Sequence, residues 1–369
     1  MPTTKKLKII HTEASPHWGG QEIRIFEEMK WFREQGHEMI LIAPGNGTLY
    51  KRCKKEGFKV ISVYFTKPRT LLNILIMLWV IWKLKPNAVA THSSTDSWAG
   101  LTAAYLLKIK KRVRYRHVSA PVRGNFLNKL QYKTFANVVL TTGECIRSIL
   151  LNSLKLNPAK ITVAPTPMSP IEFQIDKFTA RQLVQKELGL PDETRFVGQI
   201  SVLRSWKGHE TLIDAFNIFA NSYPYYHLLI VGDGPRYKYL NSYVKKKESF
   251  KKIHFLGFKN NPAKYFHAME YSLLASFQNE GIPQSILQSM QLGTPTVGAN
   301  IGGIPEIVKN YKTGLLVAPN NPEDMANKMK ELSESSLLRK EMSSNCAEYI
   351  KNYFLWESRG KVLENLFNQ

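Results

Sequence analysis

The chain has 369 residues, 43% of them hydrophobic, and a formal charge of +22. That length exceeds one ordinary domain and suits two α/β domains, each with a core of its own. The three cysteines, Cys53, Cys145 and Cys346, form no C-x-x-C pair, which argues against a zinc site or a disulfide framework and for a reducing cytoplasm.

Met1 to Lys8 runs straight into the strand-like Leu7-Lys8-Ile9-Ile10, without the apolar stretch and cleavage site of a secretion signal, so export is not expected. Short apolar runs rich in β-branched residues then alternate with longer helical patterns, the rhythm of parallel sheets wound with helices. In the first half this predicts strands at Leu7–Thr12, Glu38–Ala43, Lys59–Tyr64, Ala88–His92, Val113–Val118 and Val138–Thr142. A helix is predicted over Gln21–Gln35, closed by Gly36. It is opened by Trp18-Gly19-Gly20-Gln21-Glu22, where glycines let the backbone approach a ligand and a helix N-terminus favours an anion. A plain tight turn has the same sequence.

The apolar run Leu71–Trp82 is ended by Lys83, Lys85 and Pro86 and is shorter than the ~20 residues a membrane span needs. A buried helix packed on a sheet is the expectation, with an interfacial helix in a headgroup layer as the alternative. His92 ends one predicted strand, ahead of Ser93-Ser94-Thr95-Asp96, and His117 ends another; each is also compatible with a satisfied core or surface histidine. Residues 1–170 hold 27 Lys+Arg against 9 Asp+Glu, and the remainder 24 against 20, so the positive field belongs to the first half. Such a field recruits anionic lipid, phosphorylated substrates or nucleic acid. No RNA-module signature appears, and the basic run Lys108–Arg116 reads as a loop entering a strand. An anionic membrane surface or phosphorylated lipid is therefore expected and nucleic acid is not, a solvated basic face being the plain alternative.

Pro165-Thr166-Pro167-Met168-Ser169-Pro170 excludes regular helix and favours an extended linker, which sets domains at 1–170 and 171–350. The strand rhythm restarts at Phe196–Leu203, His227–Val231, Ile253–Leu256, Ser272–Ala275, Thr296–Val297 and Leu315–Val317. Arg204 and Lys207, after the first of these, are suited to neutralise a diphosphate leaving group. The turn Gly232-Asp233-Gly234-Pro235 is not G-x-G-x-x-G and lacks a following acid to hold a dinucleotide ribose, so hydride transfer is disfavoured. Asn279-Glu280-Gly281-Ile282-Pro283 joins an acidic side chain to a helix start. Pro283 fits a first helical turn, Gly293 fits a left-handed stop, and the amides around Gly281 and Ile282 would attract phosphate oxygens. The aromatic-rich segment Tyr349–Phe367 reads as a terminal helix, with Tyr353, Phe354 and Trp356 as the face it would bury. In open parallel sheets ligands sit beyond the carboxyl ends of the strands, and nearly all these motifs fall on such loops.

The stretch from Asn279 to Met290, with Leu292–Val297 and Gly302–Glu306, resembles the signature of family 4 of the retaining nucleotide-sugar glycosyltransferases, the glycosyl transferases group 1. That resemblance implies the GT-B fold: α/β, two Rossmann-like doubly wound parallel-sheet domains facing a central cleft, with segment 351–369 crossing back to the first domain. It implies transfer of a sugar from a nucleotide diphosphate, with retention; the basic first domain then suits a glycan or lipid-linked acceptor of lipopolysaccharide type at the inner face of a membrane, and a soluble phosphorylated acceptor fits the same charge. Glu280, His117, Arg204 and Lys207 would be catalytic. Gly20, Gly281, Ile282, Pro283, Gln288, Gly232 and Gly257 would bind the donor, and Gly19, Glu22 and His92 would lie on the acceptor side. The family pattern has a second Glu where this chain has Gln288, and an Arg where it has Val202, so Arg204 is taken to act for it. An amide still hydrogen-bonds ribose hydroxyls. With no D-x-D sequence in the chain, no metal is expected, and the nucleotide sugar is a substrate, so no cofactor is implied. Two rivals are a nucleotide-sugar epimerase of the same fold and a binding protein that has lost turnover.

Overall fold

The computed structural model describes residues 6–171 and 175–368. The chain divides into two compact units, one made of the residues up to Ser169 together with Phe354 onward, the other of Pro170–Tyr353.

The first unit holds seven parallel strands: β1 Lys8–Thr12, β2 Glu38–Ala43, β3 Lys59–Ser62, β4 Ala88–Thr91, β5 Lys111–Arg116, β6 Val138–Thr141 and β7 Ile161–Val163. Their spatial order is β3-β2-β1-β4-β5-β6-β7, the reversal at β1 giving a doubly wound sheet with helices on both faces. The strands read as continuous apolar runs because both faces are covered. One face packs Ile9, Leu41, Ala90 and Val113 with Ile25, Met29 and Phe32 of the helix Gly20–Glu34. The other packs Ile10, Ile40 and Val89 with Met77, Val80 and Ile81 of the helix Thr70–Leu84. β7 is three residues long and ends the sheet, too short to leave a period in the sequence.

The second unit has β8 Arg195–Ile200, β9 Tyr226–Val231, β10 Ile253–Gly257, β11 Met269–Leu274, β12 Thr296–Ala299 and β13 Gly314–Val317, ordered β10-β9-β8-β11-β12-β13 and again all parallel. β8 stops three residues before the predicted end at Leu203. Beyond Ser201, whose amide still reaches Val231 O at 3.0 Å, the chain turns so that Leu203 N bonds Asp233 O at 3.0 Å. The two α/β sheets are those expected from the alternating pattern.

Residues from Phe354 onward complete the first unit. Met168 N donates to Phe354 O at 2.6 Å, Trp356 stacks on Trp31 with centroids 5.4 Å apart, and Phe32 meets Phe367 edge-on. His37 Nε2 lies 3.1 Å from Glu364 Oε1. Tyr353 ends the preceding helix, Ser336–Tyr353, and is exposed, while Phe354 and Trp356 are buried.

Candidate active site

In the second unit the loops after β8, β9, β11 and β12 leave the carboxyl ends of four adjacent strands. Lys207 closes a short turn, Ser205–Lys207, on the first of them. Glu280, buried, lies on the third. Glu280 Oε1 accepts from Lys207 Nζ at 2.6 Å and from Ser276 Oγ at 2.6 Å. The pair is held from beneath by Gln199, on β8, whose amide donates to Lys207 O at 2.9 Å while its oxygen accepts from Ala275 N at 3.0 Å. One side chain therefore ties the Lys207 turn to the end of β11. His209 Nε2 adds a contact to Ser201 Oγ at 3.2 Å, and burial, with Lys207 and Arg236 adding, lowers its pKa to about 3, so this ring is neutral.

The backbone around Glu280 is tightly constrained. Asn279 is left-handed, at φ 59°. Gly302, at φ 56°, lies so close that a Cβ there would fall 2.2 Å from Glu280 O, and Gly303 N donates to that same oxygen at 3.2 Å. Ile282 is buried, and Pro283 caps the helix Gln284–Gln291 from outside instead of sitting in its first turn. Its φ of −71° suits a helix but its ψ of 121° is extended. Pro283 O accepts from Ile286 N and Leu287 N, which leaves the Gln284 and Ser285 amides ahead of them without an intrahelical carbonyl to bond. Gly281 precedes this start, Gln288 is half-buried one turn along it, and Gly293 closes it at φ 66°. Gly232 N donates to Gly257 O at 2.9 Å, joining the turns after β9 and β10. Arg204 is not the ion-pair partner of Glu280. It is exposed, with its guanidinium 5.2 Å from the Trp206 ring.

In the first unit Gly19 caps the helix Gly20–Glu34, and its N–H donates to Glu22 Oε2 at 2.9 Å. Burial, then the neighbouring Glu13, raises the Glu22 pKa to about 6. His92 and His117 are brought together with a third histidine, His11 on β1. His11 Nδ1 lies 2.9 Å from His92 Nε2, and His92 Nδ1 lies 2.9 Å from His117 Nε2. The ladder follows the sheet order β1-β4-β5. Burial pushes His11 down to about 3 with help from Arg24, and holds His92 and His117 well below the usual histidine range, so all three are neutral near pH 7. His117, the outer end, is half-buried.

Behind the ladder, Arg24 and Glu28 form a fully buried ion pair, Nε to Oε2 at 3.4 Å, and the Tyr115 hydroxyl donates to Glu28. Asp96 Oδ2 accepts from His92 N at 2.9 Å and Thr12 Oγ1 at 2.6 Å; burial, then Glu13, raises its pKa to about 7. Buried Glu13 accepts from the amides of Ala14 and Ser15, both at 2.8 Å, and from Gln21, so it fixes the loop before Gly19. Sequence reasoning missed His11, Glu13 and Gln199. Each lies in or next to a strand with no flanking motif; His11 meets His92, and Gln199 meets Ala275, only when strands far apart in the chain become neighbours, while Glu13 binds local amides that no sequence pattern announces. Among the described residues no three His, Cys, Asp or Glu side chains are grouped so as to hold a metal ion.

Residues 18–170 match the family model described as Glycosyltransferase Family 4, and residues 180–352 that described as Glycosyl transferases group 1. The UDP-Gal:alpha-D-GlcNAc-diphosphoundecaprenol alpha-1,3-galactosyltransferase of Escherichia coli is 26% identical, over 99% of this chain and 97% of its own. An uncharacterised glycosyltransferase of Methanocaldococcus jannaschii is 25% identical, over 99% and 98%. Among solved structures, a glycosyltransferase from Rickettsia africae superposes with a TM-score of 0.85 at 22% identity, covering 98% of each chain. HepE of Anabaena, in complex with UDP-glucose, does so with 0.82 at 18%, over 98% and 100%. The last two likenesses are statements about fold.

Proposed function

Since the chain belongs to the family-4 glycosyltransferases of GT-B fold, we propose that it transfers a sugar from a nucleotide diphosphate to a hydroxyl of a lipid-linked glycan, with retention at the anomeric carbon. The observation that carries this reading is the Lys207–Glu280 pair at the carboxyl edge of the second sheet, 2.6 Å apart and braced by Gln199 and Ser276.

The bond from the anomeric carbon to the diphosphate oxygen breaks while the acceptor oxygen forms its bond on the same face, and the departing phosphate takes the acceptor proton. Negative charge grows on the phosphate, where Lys207 and the helix start after Pro283 stabilise it and Arg204 adds a cation nearby in the chain. These groups act in place of a divalent metal. Glu280, anchored by its backbone, accepts hydrogen bonds from sugar hydroxyls, and Gln288 serves the ribose. In the first unit His117, neutral at the end of its ladder, is a hydrogen-bond partner for a sugar hydroxyl, and the Gly19–Glu22 loop serves the acceptor, while buried His92, with both ring nitrogens engaged by His11 and His117, positions His117 instead of touching the acceptor.

The E. coli relative's name specifies UDP-galactose and a diphosphoundecaprenol-linked sugar, which supports a UDP-hexose donor and a polyprenyl-diphosphate acceptor. The test is thermal stability of wild type and Glu280→Ala with UDP, GDP and ADP and their sugar conjugates, since a ligand at a hundredfold its Kd stabilises by about 2.7 kcal/mol. One base should raise the wild-type midpoint, and its sugar conjugate should add stability that Glu280→Ala loses. No shift with any base overturns the transferase reading in favour of a binding protein, and epimerised sugar from donor alone would make the protein an epimerase.

A further inference from the structure

The helix Thr70–Leu84 has one side in the core and leaves the other uncovered. Asn73, Met77, Val80 and Ile81 are buried. Leu71 is 80% exposed, Leu75 64%, Trp79 58% and Trp82 65%, with Leu72 exposed beside them. At roughly 100° per residue these five lie within a single arc of about 100°, opposite the buried four. A contiguous apolar face of this kind marks an interaction surface.

The charges around it identify the partner. From Gly57 to Thr95 the chain has no Asp or Glu, while Lys67, Arg69, Lys83 and Lys85 flank the helix at both ends. Lys67 and Arg69 stand at its N-terminus, where a helix dipole favours acids, and its first turn carries none. The sequence thus forgoes a local stabilisation to keep that end cationic. Lys83 Nζ sits 5.0 Å from the Trp79 ring, placing a cation beside an aromatic group as at a headgroup boundary. A second copy of the chain would bring like charges face to face, whereas an anionic leaflet carries the complementary sign. At ~1.5 Å per residue the helix is about 22 Å long, short of the ~30 Å hydrocarbon core. Among the described residues no helix is long and apolar enough to cross a membrane.

We infer that Thr70–Leu84 is a membrane-surface contact, lying flat with Leu71, Leu75, Trp79 and Trp82 in the headgroup–acyl boundary of an anionic bilayer and the flanking cations on lipid phosphates. This rests on the surface alone and stands or falls independently of the transfer reaction. Co-sedimentation of the full chain with vesicles, without donor or acceptor, tests it. Wild type should bind vesicles of equimolar phosphatidylglycerol and phosphatidylcholine at least about tenfold more strongly than pure phosphatidylcholine. Leu75→Glu should weaken binding about tenfold or more, with an unchanged melting temperature showing that it folds. A vesicle-induced blue shift of tryptophan emission should disappear in Trp79→Phe/Trp82→Phe, the other five tryptophans remaining. Equal binding by wild type and Leu75→Glu, or none by wild type, overturns the inference. So does a wild-type dimer that Leu75→Glu converts to monomer, which would make the face an interface between copies.

Discussion

Lys207 and Glu280 are each other's partners within one unit, which makes their removal distinguishable. Lys207→Met deletes the charge that opposes the leaving phosphate and is expected to lower kcat about 100- to 1,000-fold. Glu280→Gln keeps the shape and the Ser276 contact but weakens the ion pair, so its loss should appear mainly as weaker donor binding. Steady-state kinetics on both variants separates the two roles, and equal effects on kcat would contradict them. His11 gives a pH prediction. Burial lowers its pKa to about 3, so between the unfolded value of 6.5 and that point the unfolded chain takes a proton that the folded one refuses. Its contribution to stability is therefore complete above 6.5 and lost as pH falls, at about 1.4 kcal/mol per pH unit. Urea unfolding should show the advantage of wild type over His11→Asn shrinking by about 2 kcal/mol from pH 6.5 to 5. A constant gap would mean that the ring is not held neutral.

At the scale of elements, the loops matter through how closely they pass. A methyl group on Gly302 would collide with Glu280 O, which itself accepts from Gly303 N, so Gly302→Ala must displace the Glu280 backbone. Gly257 also has positive φ, at 67°, but nothing lies within 4 Å of its Cβ direction. Alanine there should cost only the ~1–2 kcal/mol of a left-handed side chain. Gly302→Ala is thus expected to lower the melting temperature further than Gly257→Ala and to abolish donor binding; similar behaviour of the two would show that the contact is easily relieved. The helix Thr70–Leu84 carries the same lesson about context. Its apolar run announced a buried helix, and only packing showed that half of that surface stays outside.

For the whole molecule, chain order and domain membership part company at the C-terminus. Trp356 belongs to the first unit, stacked on Trp31 among the residues of that core. Trp356→Ala should destabilise that unit by about 3–5 kcal/mol, read as a lower unfolding midpoint, while the donor-induced thermal shift of the second unit persists. If the donor shift vanished with it, the two units would unfold as one. The charge follows the same division, since the first unit holds 29 Lys+Arg against 11 Asp+Glu. By itself the sequence determined the two wound α/β sheets, the glycine turns at their strand ends and the acid beside the helix start after Pro283, because these rest on period, backbone freedom and adjacency along the chain. Only the tertiary structure decided that His11, His92 and His117 form one ladder, that Gln199 clamps Lys207 to β11, that Glu280 pairs with Lys207 while Arg204 stays exposed beside Trp206, and which face of Thr70–Leu84 meets solvent. Those contacts join residues on different strands or opposite sides of one helix, and no local pattern encodes which crossover makes two strands neighbours.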